Sequence, residues 1–240
     1  MISQLRDRSR SQAGITLMEL LISMIILSVL TTMLIMGWMN LQGASANALK
    51  TNHARATARD ALGRIASELR DAQPATMPTA SPTPTYVPAL FTEAQKYSAT
   101  FRSLYNEPGA GNNVDGSGAR LTRIWLDTSG STPQKTLFWQ RDTSGDGAVG
   151  AGDRTNVLGR DVVNPSFADA SAGTSFTAVF LYGYRDGANI LQWTDHRDTA
   201  AELAAIVAVR VRLIVDANLN HPPGAVDVTT TVLPRNAVAY

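Results

Sequence analysis

Glu19 is the residue whose chemistry stands out first. Residues 11–26 read SQAGITLMELLISMII, and they place this carboxylate at the start of the longest apolar run of the chain. A charge in such a run is costly inside a membrane. A buried carboxylate is tolerated when it is paired with a cation. We therefore expect a cationic group to lie beside Glu19 in the working protein.

A second set of oxygen-bearing groups lies in DTSGDGAVGAGD, residues 142–153. The segment fits a twelve-residue calcium loop that has glycine, here Gly147, at its sixth position. Its candidate ligands are the side chains of Asp142, Ser144, Asp146 and Asp153 and the backbone carbonyl of Ala148. The pattern departs at two places, because an aspartate replaces the longer glutamate at the twelfth position and Ser144 is neutral. Two alternatives stay open. The segment is either an extracellular loop that bound Ca²⁺ stabilises, or a glycine-rich hairpin loop whose aspartates only form turns.

The remaining reactive side chains form no recognisable catalytic set. The chain has no cysteine, which excludes disulfides, thiolate metal sites and a cysteine nucleophile. The histidines at 53, 196 and 221 show no HExxH spacing, and the sequence contains no GxSxG, P-loop or GxGxxG motif. We therefore expect a protein that is not an enzyme.

Arginines and tryptophans on predicted strands raise the question of nucleic-acid binding, because bases stack on aromatic rings beside cationic groups. The formal net charge is only +1, which favours the alternative that these arginines form the solvated faces of amphipathic strands. DNA as a partner is left undetermined. The residues concerned are Arg120, Arg123, Arg210 and Arg212, with Trp125 and Trp139.

The element that carries Glu19 is predicted to be a membrane-spanning helix. The run from Leu20 to Leu41 contains no charge and is long enough, as a helix, to cross a hydrocarbon layer of ~30 Å. Arginines lie before this run and no basic cluster follows it, so the N-terminus is expected in the cytoplasm and residues 42–240 outside it. A secretory signal peptide fits poorly, since its apolar core is shorter and ends at a cleavage site. An ordinary membrane anchor leaves Glu19 unexplained.

The leader MISQLRDRSRSQAG, which ends in Gly14, resembles the class III signal of type IV pilins and type II secretion pseudopilins when it is followed by Ile15–Glu19 and the apolar run. This resemblance implies that prepilin peptidase cuts between Gly14 and Ile15 and that Ile15 is then methylated. Phenylalanine is the commonest residue after the cut, so Ile15 is a departure. The resemblance also implies that Glu19 meets the new α-amino group of a neighbouring subunit, which would supply the missing cation.

The helix is expected to continue well beyond the membrane. Residues 15–73 form the predicted long helix, with 15–41 in the membrane or filament core and 42–73 amphipathic. Its stripe of Ala58, Leu62, Ile65 and Leu69 follows helical spacing. This stripe favours docking on the chain's own domain over a coiled coil, because it spans too few heptads.

A change of composition marks the next two regions. Residues 74–118 begin with a Pro/Thr/Ser run and are predicted to be an extended connector and a variable region; glycosylation of its hydroxyls is left open. Residues 119–240 are predicted to form an antiparallel β domain, with a hairpin at Asp186–Gly187. The predicted strands are 119–127, 135–142, 174–186, 188–195, 205–216 and 226–234. The expected fold class is α+β and pilin-like, a long N-terminal helix packed on an antiparallel sheet.

The strands YGYRDG…ILQW, VAVRVRLIV and TTTVLPRN resemble those of PilW-like minor pilins and J-type minor pseudopilins. The resemblance implies a structural subunit that initiates or caps a type IV pilus, competence or type II secretion filament. Its implied partners are prepilin peptidase, other minor and major pilins or pseudopilins, the inner-membrane assembly platform, and membrane lipid before assembly. Two alternatives stay open, namely a filament-tip binding module (an adhesin or DNA receptor) and an uncleaved, membrane-anchored extracytoplasmic protein.

Overall fold

The computed structural model describes residues 16–78, 86–104, 119–166, 177–216, 219 and 224–237. The chain divides between Ala48 and Leu49 into two compact units. The first unit holds the apolar half of a helix. The second holds the remainder of that helix and the strands.

Helix α1 runs from Leu17 to Arg70. Its second half is rich in alanine, leucine, arginine and glutamate, which favour helix formation. The predicted stripe is confirmed, because Ala58, Leu62, Ile65 and Leu69 are all buried. The helix ends before Pro74, which cannot continue it, and its end lies slightly earlier than the predicted residue 73.

Short strands make up most of the second unit. The described strands are β1 (Ala72–Gln73), β2 (Ala75–Pro78), β3 (Tyr86–Ala89), β4 (Phe91–Gln95), β5 (Ser98–Ser103), β6 (Arg120–Asp127), β7 (Lys135–Arg141), β8 (Arg154–Val162), β9 (Phe180–Arg185), β10 (Leu191–Thr194), β11 (Ile206–Val215) and β12 (Val226–Val232). A 3₁₀ turn lies at Asn164–Ser166, and helix α2 spans Ala200–Ala204.

Ten of these strands form one antiparallel sheet in the order β1-β5-β6-β7-β8-β11-β9-β10. Strand β4 adds to β5 and β12 adds to β11, whereas β2 and β3 pair separately with each other. A long N-terminal helix followed by an antiparallel sheet confirms the predicted α+β, pilin-like fold class.

The core of the second unit lies between α1 and the inner face of this sheet. The buried helix stripe belongs to the same apolar cluster as Phe91, Ile124 and Leu137 from the strands. The ring of Phe91 makes edge-on contacts with Phe101 at 5.6 Å and with Tyr182 at 5.7 Å between centroids. Aromatic pairs of this kind add about 0.5–1.5 kcal/mol each beyond the area that they bury, so they fix β4 and β5 firmly in the sheet.

The structure differs from the sequence prediction most in residues 74–118. Strands β2 to β5 lie in this region, where a connector was predicted, while 79–85 and 105–118 lie outside the described residues. The strands were not predicted because the prolines at 78 and 88 argue against a strand. Both prolines lie in the small β2–β3 pair. A two-stranded sheet consists only of edge strands, where proline is tolerated. Their neighbours β4 and β5 bury Phe91 and Phe101 completely.

Two further elements were not predicted, and one turn was predicted differently. Strand β8 begins with four exposed residues, so it lacks the alternation that identifies a half-buried strand, and α2 is a single short turn of helix. The link between β9 and β10 spans residues 186–190, with Asn189 at φ 62°. Asp186 accepts the N–H groups of Ala188 and Ile190, so the connection is longer than the expected tight Asp-Gly turn.

A buried asparagine joins two parts of the sheet. Strand β11 pairs with β9 from Ile206 to Val211, and with β8 only at Val215 and Val162. At this junction the Asn164 side chain donates to the Arg212 carbonyl at 2.9 Å and accepts the Ile214 N–H at 2.8 Å. Its amide therefore replaces the backbone of a missing strand.

Candidate processing site and its supporting structure

Glu19 lies in the first turn of α1 and is bonded to Thr16, the residue before the helix. The backbone N–H of Thr16 donates to Glu19 Oε2 at 3.0 Å, and the Thr16 hydroxyl donates to the same oxygen at 3.1 Å. In return, the Glu19 N–H donates to Thr16 Oγ1 at 3.2 Å. This reciprocal arrangement is a capping box. The carboxylate also lies at the positive end of the helix dipole, which stabilises it.

The capping box brings the carboxylate close to the predicted cleavage point. Thr16 directly follows Ile15, and its N–H already donates to Glu19. Gly14 and Ile15 themselves lie outside the described residues, so their predicted roles stay predictions. The contact of Glu19 with Thr16 was not predicted from the sequence, although threonine followed three residues later by glutamate is a recognisable helix-start pattern.

The helix behind Glu19 presents an apolar surface all round. Residues 16–46 are all exposed in the structure, and by length and composition α1 is long and apolar enough to cross a membrane. The hydroxyls of Ser28, Thr31 and Thr32 donate to backbone carbonyls one turn earlier, at 2.7–2.8 Å. These polar groups are therefore satisfied within the helix, as lipid requires.

A buried ion pair holds the other end of α1 on the sheet. Glu68 of the helix and Arg141 of β7 are both fully buried, and Arg141 Nη2 lies 2.6 Å from Glu68 Oε2. Arg64, one turn earlier, reaches the second oxygen at 3.0 Å. The two guanidinium groups lie 5.1 and 5.2 Å from the ring centroid of Trp139. Helix and sheet are thus joined by charge as well as by apolar packing.

Burial dominates the electrostatics of this pair. It raises the pKa of Glu68 above its ordinary value of 4.5, although the charge of Arg141, a hydrogen bond from Ser103 and the charge of Arg64 act in the opposite direction. Loss of solvation therefore outweighs the attraction of the partners for the ionised carboxylate. The ion pair specifies how α1 sits on the sheet rather than adding a large net stability.

The loop of residues 142–153 connects β7 to β8, and its carboxylates bind the loop's own backbone. Asp142 is buried, and it accepts the N–H of Gly145 at 2.6 Å and of Gly147 at 3.0 Å. Asp153 accepts the N–H of Thr143 at 2.8 Å and of Gly150 at 2.8 Å. Asp146 accepts the N–H of Ala148 at 2.9 Å, and Ser144 donates to Asp142 at 3.1 Å.

Hydrogen bonding sets the acidity of one of these groups. Burial alone would raise the pKa of Asp153, but the hydrogen bonds from Thr143, Gly150 and Ser144 outweigh it and lower that pKa below its ordinary value of 3.8. Gly145 and Gly147 have φ values of 77° and 82°, which glycine adopts without strain. The loop is therefore organised by its aspartates and glycines together.

This geometry matches the turn-forming alternative of the sequence analysis. In the part of the chain that the structure describes, no three acidic or histidine side chains approach one another closely enough to hold a metal ion. Calcium binding by Asp142, Ser144, Asp146, Ala148 and Asp153 stays a prediction. Such binding would require the three carboxylates to give up hydrogen bonds from backbone N–H groups in exchange for the ion.

The arginines considered for nucleic-acid binding are engaged in contacts within the protein. Arg120 donates to the Asp142 carbonyl at 3.0 Å, and Arg212 pairs with Asp227 at 2.6 Å. Arg123 lies 3.8 Å from Glu93. Trp139 is buried, so no base can stack on it. These contacts are those of amphipathic strands, and they give the DNA alternative no support.

The histidines also form no shared site among the described residues. His53 is an exposed residue of α1, and His196 lies 2.7 Å from Asp195. The hydrogen bond to Asp195 raises the pKa of His196 above its ordinary value of 6.5. His221 lies outside the described residues.

Comparison with known proteins assigns the N-terminal region. Residues 9–35 match the family model of the prokaryotic N-terminal methylation motif. The matched segment contains Gly14, Ile15, Thr16 and Glu19 together with the start of the apolar helix. No curated protein matches the chain. The motif and the exposed apolar helix indicate a membrane-anchored protein. Residues 9–35 thus carry the class III signal of type IV pilin-like proteins, a signal for prepilin peptidase, and the described chain has the long N-terminal helix and antiparallel sheet of the pilin-like fold.

Proposed function

We propose that this chain is a minor pilin or pseudopilin, cleaved between Gly14 and Ile15 and then assembled into a filament through its apolar helix. The observation that carries the proposal is the methylation motif at residues 9–35, with Glu19 placed in the first helical turn. In an ordinary membrane anchor this carboxylate would only close the capping box with Thr16, whereas in a cleaved subunit it also gains a cation as partner.

Cleavage creates the cation that Glu19 needs. Hydrolysis of the Gly14–Ile15 bond consumes one water and leaves a carboxylate on Gly14 and an α-ammonium group on Ile15. Transfer of a methyl group from an electrophilic donor replaces one N–H of that amine and leaves the amine able to hold its positive charge. In the uncleaved chain this nitrogen is a neutral amide, so Glu19 gains an ionic partner only after processing.

Assembly would then cover the two exposed features of the first unit. The apolar surface of residues 16–46 requires lipid before assembly and the helices of other subunits afterwards. The N-terminus of the chain lies on the cytoplasmic side of the membrane and residues 42–240 lie on the opposite side, in accord with the arginines of the leader. Glu19 pairs with the Ile15 α-amino group of a neighbouring subunit, which fixes the axial register between two apolar helices that otherwise slide freely.

The specific role of a minor subunit rests on the C-terminal strands. The segments that resemble PilW-like minor pilins and J-type minor pseudopilins lie in strands β9 to β12 and in the residues that follow β12, up to Asn236. Such a subunit initiates or caps a filament and meets prepilin peptidase, other pilin-like subunits and the inner-membrane assembly platform. A cytoplasmic ATPase, which this chain does not contain, extends the filament.

Glu19→Gln tests the assembly step, and Glu202→Gln is its matched control. Thr199 and Glu202 form a second capping box at α2, with the same reciprocal contacts as Thr16 and Glu19. Both substitutions remove the same local charge, but only Glu19→Gln removes the proposed partner of an α-amino group. We expect the cleaved Glu19→Gln protein to remain in the membrane and to be at least tenfold depleted from sheared filaments, while the Glu202→Gln protein is incorporated normally. Normal incorporation of both variants would contradict the proposed role of Glu19.

A further inference from the structure

Strand β8 has a backbone edge that the described strands do not fill. One edge pairs with β7 along the whole of β8, whereas the other pairs with β11 only at Val162. From Arg154 to Val157 the pairing with β7 runs without a register shift, so this part of the strand is regular. An edge of this kind offers a row of N–H and C=O groups to another extended chain.

A cleft lies beside the same edge. Its volume is about 400 Å³, and its lining combines one side of α1 with the second half of β8 and the end of β11. The α1 side of the cleft carries small side chains, the apolar Ala54 and the polar Thr57. The lining residues are His53, Ala54, Thr57, Val157, Leu158, Gly159, Arg160, Asp161 and Val215. Val157, where the regular edge meets the cleft, is 44% exposed.

Two unpaired arginines flank this edge. Arg154 and Arg160 are both exposed, and within the described parts of the chain neither guanidinium makes an ion pair or a hydrogen bond. Asp161 is the one acidic residue in the cleft lining, so Arg154, Arg160 and Asp161 together carry +2 − 1 = +1. Six residues separate the two arginines, which corresponds to roughly 20 Å of extended strand at ~3.3 Å per residue.

We propose that β8 and this cleft bind an extended segment of a second polypeptide, which adds to the sheet as a strand. Hydrogen bonds to the free edge give such a segment its affinity, and a side-chain pocket beside the edge gives selectivity. The cleft accepts an apolar or β-branched side chain against Ala54 and Thr57. The flanking arginines select a carboxylate at each end of the segment. The proposal concerns the second unit and does not depend on cleavage at Gly14.

A peptide with the required features tests this proposal. The probe is fluorescein-labelled EVTVTVE with a blocked C-terminus, in which two glutamates lie six residues apart around β-branched residues. Its anisotropy is measured against the full-length protein in detergent micelles, with empty micelles as the blank. A second peptide carries N-methyl groups on alternate residues, which removes backbone donors without changing the side chains.

Substitutions on the protein locate the binding. Thr57→Trp fills the cleft, Arg160→Glu reverses one flanking charge, and Arg185→Glu makes the same charge change on β9 as a matched control. We expect Thr57→Trp and Arg160→Glu each to weaken binding at least tenfold and Arg185→Glu to leave it unchanged, with the far-ultraviolet circular dichroism of all three variants like that of the parent. The N-methylated peptide is expected not to bind. Failure of the parent peptide to bind at millimolar protein, equal binding of the N-methylated peptide, or unchanged binding to Thr57→Trp would overturn the proposal.

Discussion

At the scale of single residues, the carboxylates of Glu19 and Asp142 both accept hydrogen bonds from nearby backbone N–H groups, whatever further partner each one binds. Glu19 is bonded to Thr16 within its own helix turn, at 3.0–3.1 Å, and Asp142 is bonded to the N–H groups of its own loop. Each bond set organises the backbone of one chain. A function for either carboxylate therefore requires a partner that competes with contacts already made, an α-ammonium group for Glu19 and a metal ion for Asp142.

Substitutions in the β7–β8 loop test the role of Asp142. Asp142→Asn keeps the size of the side chain but weakens its bonds to Gly145 and Gly147, whereas Asp146→Asn affects a more exposed carboxylate that accepts from Ala148. We expect Asp142→Asn to lower the free energy of unfolding by about 1–3 kcal/mol, because buried donors lose a charged acceptor. Asp146→Asn is expected to cost well under half of that.

Calcium titration of the same proteins tests the metal prediction. If the loop binds calcium, millimolar CaCl₂ raises the melting temperature of the parent and MgCl₂ does so less, and the calcium effect disappears in both variants. An unchanged melting temperature of the parent in calcium would contradict the metal prediction and leave the turn-forming role of Asp142. The two measurements therefore separate a loop built by its own backbone from one that also holds an ion.

At the scale of elements, the Glu68–Arg141 pair decides how α1 is joined to β7. The raised pKa of Glu68 shows that solvation lost on burial exceeds what the partners return. Removing only one of the two side chains is therefore expected to lower the free energy of unfolding strongly, whereas replacing both by apolar residues is expected to lower it little. The value of the pair lies in specificity, because only one rotation of α1 brings Glu68 to Arg141.

Single and double substitutions of this pair test that account. Glu68→Met removes both carboxyl oxygens, which remain beside Arg141 even when Glu68 is protonated, and leaves the Arg141 guanidinium buried without this acceptor; we expect a loss of about 3–5 kcal/mol in the free energy of unfolding. The double variant Glu68→Met with Arg141→Met removes both charges and is expected to recover most of this loss. Arg59→Gln, an exposed position of the same helix, is the control and is expected to change stability by less than about 0.5 kcal/mol.

The pH dependence of the parent and of Glu68→Met gives an independent check by urea unfolding in detergent. Because the folded pKa of Glu68 lies above 4.5, the folded protein takes up this proton more readily than the unfolded chain. The stability contributed by this group therefore rises as the pH falls through the folded pKa. A double variant as unstable as Glu68→Met, or a parent and Glu68→Met with the same pH slope, would contradict the account.

At the scale of the whole molecule, the sequence predicted the helix and most of the sheet for a simple reason. The stripe of Ala58, Leu62, Ile65 and Leu69 follows helical spacing. The middle of β11 alternates apolar residues with arginines, and β6 and β7 are short runs rich in apolar and aromatic residues, bounded by polar residues. The structure confirms these elements because each has a strong local pattern. Glu19 was identifiable for the same reason, as a charge inside an apolar run.

The elements that were not predicted depend on partners distant in sequence. Strand β8 has an exposed first half, so nothing in its composition distinguishes it from a loop. The strands β4 and β5 follow a proline-rich segment that obscures them, and Asn164 acquires its role only where two strands separate. Arg141 lies near the end of a predicted strand, yet it is buried against Glu68, a helix residue far away in the chain.

The most direct test of the central claim is the mass of the mature N-terminus. The protein is purified from its own membranes, and its intact mass and N-terminal peptide are determined by mass spectrometry, beside protein from a strain that lacks prepilin peptidase. The account predicts a chain that begins at Ile15 and carries one methyl group, with the full leader from Met1 retained in the mutant strain. An intact leader in the normal strain, or a chain that begins beyond residue 40, would contradict it.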